Sequence, residues 1–325
     1  MTWVLWRQYR VTAAIAGAIL AAFAVLLLVT GLQDAARWHA ALVTCAKDGT
    51  CANLSHTVSL GGGPLNTLAV LTLAVPLVFG MFWGGPAVAR ERETGTMQFA
   101  WTQSVTRRHW LSVKVAWLLL AAAVFGGAVA GVVTWWYAPV NALHHGQFTP
   151  GYFDIQGIVP IGYAVFAVAL GIAAGTLIGR SLPALAVTAG AFLAVRLVVA
   201  YVVRVHYLPA VTTVYSVTRN FIPQGAYWPL SQGVVLPGGQ FSTSLIAAPG
   251  VIQGFGTVPA SCPASSSIQI STTLACMARL GYRSFATYQP GYRFWPFQFI
   301  ETGIFVALAA ALIAVTFLVV LRRDA

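Results

Sequence analysis

The chain is 325 residues long, 58% hydrophobic and 8% charged, with a net charge of +11 and a mean hydropathy of +0.77. Soluble domains carry about 25% charged residues, so the composition places this chain in a membrane and excludes an ordinary soluble enzyme. Its basic residues stand singly or in pairs at the ends of apolar runs, a pattern set by membrane topology and anionic lipid, with no patch suited to nucleic acid.

Residues 1–10, MTWVLWRQYR, combine Trp3, Trp6 and Tyr9 with Arg7 and Arg10 and read as an interfacial helix. The apolar run that follows is too long for the core of a signal peptide, so it reads as an uncleaved first span, 11–30. Five later runs, 66–85, 115–137, 157–178, 183–203 and 297–320, each approach the about 20 residues that a helix needs to cross a bilayer. The expected fold is therefore an all-α polytopic membrane protein with six transmembrane helices. The segments 1–10, 86–114, 179–182 and 321–325 hold ten Lys/Arg in 48 residues, whereas 31–65, 138–156 and 204–296 hold seven in 147. The positive-inside rule then puts both termini in the cytoplasm.

The segments left outside are the loop 31–65, ending in Gly61-Gly62-Gly63-Pro64, and the stretch 204–296, which is too long for a connector. The latter contains β-rich pieces, Val211 to Val217 and Ser267 to Thr272, and is expected to form a small mixed α/β external domain. Four cysteines fall in these segments, where disulfides persist. Their proximity in sequence favours two local bridges, Cys45–Cys51 and Cys262–Cys276, although four cysteines allow three pairings.

Within the spans, Gly171, Gly175 and Gly179 recur every fourth residue. That is the small-xxx-small pattern of closely packed membrane helices, and simple tolerance of glycine in such helices explains it equally well. Gly126, Gly127 and Gly131 read the same way. Arg196 and Glu301 are ionisable residues inside spans, expensive unless paired. They are placed to pair with each other, either as a structural ion pair or as a gating element.

The two lysines, Lys47 and Lys114, do not follow glycine-rich runs, so no phosphate loop is present for ATP. The acidic residues are dispersed. The pair His144-His145 has only Asp154 nearby in sequence, which is a poor metal site; no metal is expected, and no catalytic arrangement follows from spacing. The chemistry left is that of a conduit.

The polar run 86–114, PAVARERETGTMQFAWTQSVTRRHWLSVK, joins spans two and three. Thr96 is suited to start a short helix from Met97 to Trp101, and Thr106 to cap a helix leading into the third span. Trp110 fits interfacial anchoring, as does the whole of 106–114. A solvated loop has no need of Phe99 and Trp101, so 91–104 reads as a docking ridge for a soluble partner.

This run, with ALGIAAGTLIGRSLPALAVTAGAFLAVRL at 169–197 and YQPGYRFWPFQFIETGIF at 288–305, resembles the permeases of actinobacterial ABC transporters of the type-2 exporter class. The inner stretch Gly179-Arg180 carries fewer basic residues than that pattern. The resemblance implies a translocation path made by this chain and a second permease chain, identical or different, above two copies of an ABC ATP-binding subunit. It also implies a cytoplasmic coupling helix that seats in the ATPase, with Glu91, Glu93, Gly95, Thr96, Trp101, Thr102, Gln103 and Ser104 as the docking residues. This chain would bind no cofactor; ATP and Mg would lie on the partner ATPase. The expected cargo is an amphipathic or hydrophobic compound, such as a drug-like antibiotic, a peptide or a lipid, because the spans offer apolar surface with little buried charge. Two rivals are an ion-coupled secondary transporter, for which only Glu301 is available, and a ligand-sensing membrane scaffold without transport.

Overall fold

The computed structural model describes residues 14, 17–18, 21–33, 36–37, 40, 43–44, 47, 64–93, 106–144, 148, 150–219, 227–248, 251–254, 258–259, 261–262 and 270–323. In chain order these form helix α1 (Ala21–Gln33), α2 (Pro64–Phe79), a π-helical turn (Gly80–Gly84), α3 (Gly85–Glu93), α4 (Arg107–His144), a 3₁₀ turn (Phe153–Ile155), α5 (Val159–Ile178) and α6 (Ser181–Val198). A second π turn (Val199–Val203) and a 3₁₀ turn (Arg204–His206) extend α6. Strands β1 (Val211–Ser216), β2 (Trp228–Val235), β3 (Phe241–Ser242), β4 (Leu245–Ala248) and β5 (Val251–Gly254) follow, then α7 (Ile270–Arg279), β6 (Arg283–Gln289) and α8 (Phe294–Arg323).

Two compact units result: one built from 1–143, 150–207 and 295–325, the other from 144–149 and 208–294. Among the described residues, five helical stretches are long and apolar enough to cross a membrane: Leu71–Glu93, Arg107–Ala138, Val159–Ile178, Ser181–His206 and Gly291–Arg322. Of the expected first span, 11–30, the structure describes a part, which is helical and continues to Gln33. The interfacial segment 1–10 lies outside the described residues.

Two boundaries differ from the sequence reading. The second span does not stop at residue 85 but continues through the charged sequence ARERE to Glu93. The third helix is 38 residues long, about 57 Å at 1.5 Å per residue, against a hydrocarbon core of about 30 Å. Hydropathy delimits only the lipid-facing part of such a helix; its polar ends stay helical because Arg, Lys, Glu and Ala are good helix formers.

The centre of the first unit is α5. About 78% of its apolar window is buried, against 22–44% for the other four stretches. Glycine makes this possible. A Cβ on Gly171 would run into the carbonyl oxygen of Gly80, and one on Gly175 into that of Gly85, while a Cβ on Gly84 would lie 2.6 Å from the Val168 oxygen. Backbone therefore packs directly on backbone where α5 meets the π turn. Gly179 acts differently. At φ +71° it ends α5 in the left-handed conformation, its N–H bonded to Gly175 O. Around α5, Phe79, Val88, Trp110, Leu111, Leu118, Val168, Ile172 and Val320 form one apolar cluster. A second joins Leu27, Val129, Val133, Trp136, Tyr137 and Ile155.

The second unit is a four-stranded antiparallel sheet in the order β1-β6-β2-β3, with the separate hairpin β4-β5. Val211–Ser216 forms a strand as its alternation suggests, but Ile270 to Thr272 does not: it opens α7. Ile270, Thr273, Leu274 and Met277 recur at helical spacing, and the last three are buried, so 270–272 open an amphipathic helix, while 267–269 lie outside the described residues. A disulfide, Cys262–Cys276, ties α7 to the preceding segment, and its core holds Val217, Val234, Ala247, Leu274 and Met277. Cys45 and Cys51 lie outside the described residues.

Candidate functional site

The last turn of α3 presents three charged side chains, and each reaches a different helix. Glu91 Oε1 lies 2.6 Å from Lys114 Nζ on α4. Lys114, 1% exposed, also lies 4.9 Å from the centre of the Trp110 ring, so the ammonium has an anion and a π face for its lost water. Arg92 Nη1 donates to Thr176 O at 2.6 Å, one of the carbonyls that the end of α5 leaves without a helical partner. Glu93 accepts from Ser181 N at 2.8 Å and from Ser181 Oγ at 2.7 Å. Ser181 opens α6, whose own N-cap position, Arg180, makes no capping bond; Glu93 supplies from a distant helix the oxygen that an N-cap side chain ordinarily provides. One helical end thus closes the end of α5, caps α6 and pairs with α4.

Immediately beyond this lock the described chain stops. Gly95, Thr96, Trp101, Thr102, Gln103 and Ser104 lie outside the described residues, as does the expected helix from Met97 to Trp101. The described chain resumes at Thr106, whose Oγ1 accepts from His109 N at 3.4 Å and so caps α4. Lys114 and Trp110 do not anchor a membrane surface; both are buried within the unit.

A second polar assembly is enclosed by α5, α6, α8 and the 3₁₀ turn at Phe153. Arg204 Nε donates to Glu301 Oε2 at 2.8 Å and its Nη2 to Glu301 Oε1 at 2.6 Å. Nη2 also pairs with Asp154 Oδ1. Arg196 Nη2 stands 3.5 Å from Asp154 Oδ2, and Nη1 donates to Leu73 O of α2 at 2.8 Å. The Tyr163 hydroxyl lies 2.5 Å from Glu301 Oε1 and 3.1 Å from Asp154 Oδ1; its single hydrogen serves the nearer oxygen. Tyr207 OH completes Glu301 at 3.2 Å. Two carboxylates and two guanidiniums leave the assembly neutral, which is what a low-dielectric site requires.

The turn that carries Asp154 is held from a further direction. Gln298 of α8, fully buried, accepts from Ile158 N and Val159 N at 2.9 Å and donates to Phe153 O at 3.1 Å. It satisfies the start of α5 and fixes the turn together. Beside it, Asp154 and Arg196 border a groove of about 370 Å³ whose walls include Leu73, Leu77, Leu193, Leu197 and Tyr201.

The expected pairing of Arg196 with Glu301 is replaced by a relay. Arg196 meets Asp154, and Arg204 joins Asp154 to Glu301. Asp154 and Arg204 link the cluster together although neither lay in a predicted span. The signal that could have found Asp154 is the scarcity of acids: with seven in 325 residues, each one next to a span is a candidate partner for Arg196. Of the expected packing glycines, Gly171 and Gly175 sit in the backbone contact and Gly179 forms the helix end. Among the described residues no group of three His, Cys, Asp or Glu is placed to hold a metal.

The family model described as ABC-2 membrane transporter related matches residues 17–204. That stretch runs from α1 to the end of α6 and includes the helical lock, Asp154, Arg196 and Arg204. Neither a curated protein nor a solved structure matches the chain.

Proposed function

We propose, from the premise that this chain belongs to the ABC-2 membrane transporter-related family, that it is the membrane-spanning permease of an ATP-driven exporter and moves an amphipathic or hydrophobic compound out of the plasma membrane. In this reading ATP hydrolysis takes place on a separate ABC ATP-binding subunit, a second permease chain completes the path, and the 86–114 side faces the cytoplasm.

The observation that carries the reading is the attachment of α3. The polar segment 94–105 follows directly from a helix end bonded to α4, to the end of α5 and to the start of α6. A displacement imposed on that segment by a partner therefore acts on four helices at once. Family membership supplies the partner: transporters of this kind draw on an ATP-binding subunit. Of the expected docking residues, Gly95, Thr96, Trp101, Thr102, Gln103 and Ser104 make the contact in this reading, whereas Glu91 and Glu93 serve α4 and α6 within the chain.

The test is co-purification of the tagged chain with an ABC ATP-binding subunit, followed by ATPase and ATP-driven uptake of a fluorescent amphiphile in inverted vesicles. Trp101→Ala and Gln103→Ala should each reduce capture and ATPase stimulation while leaving the chain folded. If both variants retain capture and stimulation, the docking assignment is wrong; if uptake follows an ion gradient and ignores ATP, the exporter reading is wrong.

A further inference from the structure

The second unit has an unusual charge inventory. The segment 208–294 contains Arg219, Arg279, Arg283 and Arg293, no lysine, and no Asp or Glu, where a soluble segment of that length carries on the order of ten acids. Arg293 is engaged, donating to Pro209 O and to Gln289 Oε1 at 2.6 and 2.7 Å. The other three are exposed and cannot find an anion within their own unit.

These three are grouped by the topology. Among the described residues β1 is an edge strand paired only with β6, in a register that sets Ser216 beside Arg283. Arg219 follows in the turn that leaves β1, its N–H bonded to Ser216 O at 3.0 Å. Arg279 and Arg283 flank Gly281, whose φ of +87° lets α7 turn directly into β6. Between edge strand and turn lies a cleft of about 380 Å³ lined by Val214, Tyr215, Ser216, Tyr282 and Arg283. The end of α7 would by itself repel an anion. Its carbonyls are closed off, with Leu280 N on Cys276 O, Gly281 N on Ala278 O and Tyr282 N on Met277 O.

We infer that this cleft binds a soluble phosphate ester of sugar size, with Arg283, the arginine that lines it, receiving the phosphate, Arg219 and Arg279 adding positive charge from the adjoining turns, and Tyr215 and Tyr282 flanking the organic part. Arginine is the cation whose planar fork matches phosphate. Burial, with the nearby Tyr227 adding to it, pushes the Tyr215 phenol above its usual range, so it remains a neutral donor near pH 7. The volume is that of a small-ligand pocket, and its lining sets two tyrosines, Ser216 and Arg283 against only Val214 and Ala278 as aliphatic side chains, which favours a soluble ester over a lipid headgroup. The absence of any carboxylate argues against a divalent cation. The inference rests on the second unit alone and is independent of the transport reading.

The full chain in nanodiscs of phosphatidylcholine would be titrated calorimetrically with glucose 1-phosphate, with glucose as the uncharged control. Saturable binding of the phosphate alone is expected, weakened on the order of tenfold by Arg283→Gln and further by Arg279→Gln with Arg283→Gln. Both variants lie on exposed positions, and an unchanged circular dichroism spectrum confirms folding. Equal binding of glucose, absence of saturable binding, or undiminished affinity in the double variant would overturn the site. Lack of binding to the sugar phosphate, joined to Arg283-dependent retention of phosphatidylglycerol in mixed nanodiscs, would assign the arginines to a lipid headgroup and overturn the soluble ligand.

Discussion

Arg204 holds Glu301 bidentately, Nε on Oε2 at 2.8 Å and Nη2 on Oε1 at 2.6 Å, and both residues are buried from solvent. Breaking such a pair from one side leaves an unmatched buried charge, at about 3–5 kcal/mol. Glu301→Gln is therefore expected to lower the thermal unfolding temperature in detergent markedly. Arg204→Met combined with Glu301→Leu removes both charges and leaves Asp154 with Arg196 at 3.5 Å, so it recovers part of the loss; adding Asp154→Asn leaves the buried Arg196 unmatched and loses that gain. Differential scanning fluorimetry across the three variants checks the order.

Lys114 and Glu91 give a prediction about coupling. Lys114→Met removes the cation from a carboxylate whose side chain is 17% exposed, so the stability loss is smaller, about 1–3 kcal/mol. Capture of the ATP-binding subunit should persist, since the docking segment is untouched, while ATP-driven transport falls on the order of tenfold. Transport assayed beside pull-down separates the two, and the swap Glu91→Lys with Lys114→Glu should return part of the activity.

The glycine contact between α5 and the π turn predicts a contrast among conservative substitutions. Gly175→Ala drives a methyl into the backbone oxygen of Gly85, which no rotamer relieves, at about 1–3 kcal/mol. Gly190→Ala, on α6 with nothing within 4 Å, should be neutral or stabilising by up to about 1 kcal/mol. Chemical denaturation of both variants in the same detergent tests the difference; equal effects would contradict the backbone contact.

In the second unit, the Cys262–Cys276 bridge closes a short loop onto α7. Constraint of a loop near 15 residues contributes about 3 kcal/mol, so Cys276→Ser should expose 258–280 to limited proteolysis. The helices of the first unit are expected to keep their protease resistance, which mass spectrometry of the fragments would show.

Much of this architecture was legible from residues. Apolar runs locate the five described membrane-length stretches, Thr106 announces the start of α4, and the alternation at Val211 to Ser216 announces β1. What was hidden has physical causes. Hydropathy marks where lipid touches a helix, so the polar ends that carry α4 to 38 residues and α3 to Glu93 read as loop. Ion pairing is a long-range property: Asp154 and Arg204 read as loop residues until the fold brings them to Glu301. The capping of α6 by Glu93 breaks the local rule that a helix is capped by its own preceding residues. Of Ser267 to Thr272, the described part, Ile270 to Thr272, opens α7, because so short an alternation does not distinguish a strand from the first turn of an amphipathic helix.

The π turn at Gly80–Gly84 has a consequence for the length of the second span. Such a turn is an α-helix with one residue inserted, so the span holds a spare link between its two halves. Deleting Phe82, which points away from the protein at 59% exposure, lets the segment rewind as ordinary helix. α2 and α3 then keep the faces they now show their neighbours. The same deletion inside α5 would rotate one half against the other by about 100° and strip Gly171 from its contact. A one-residue deletion is therefore expected to be tolerated at 80–84 and, when placed in α5, to unfold the part of that helix packed against the turn.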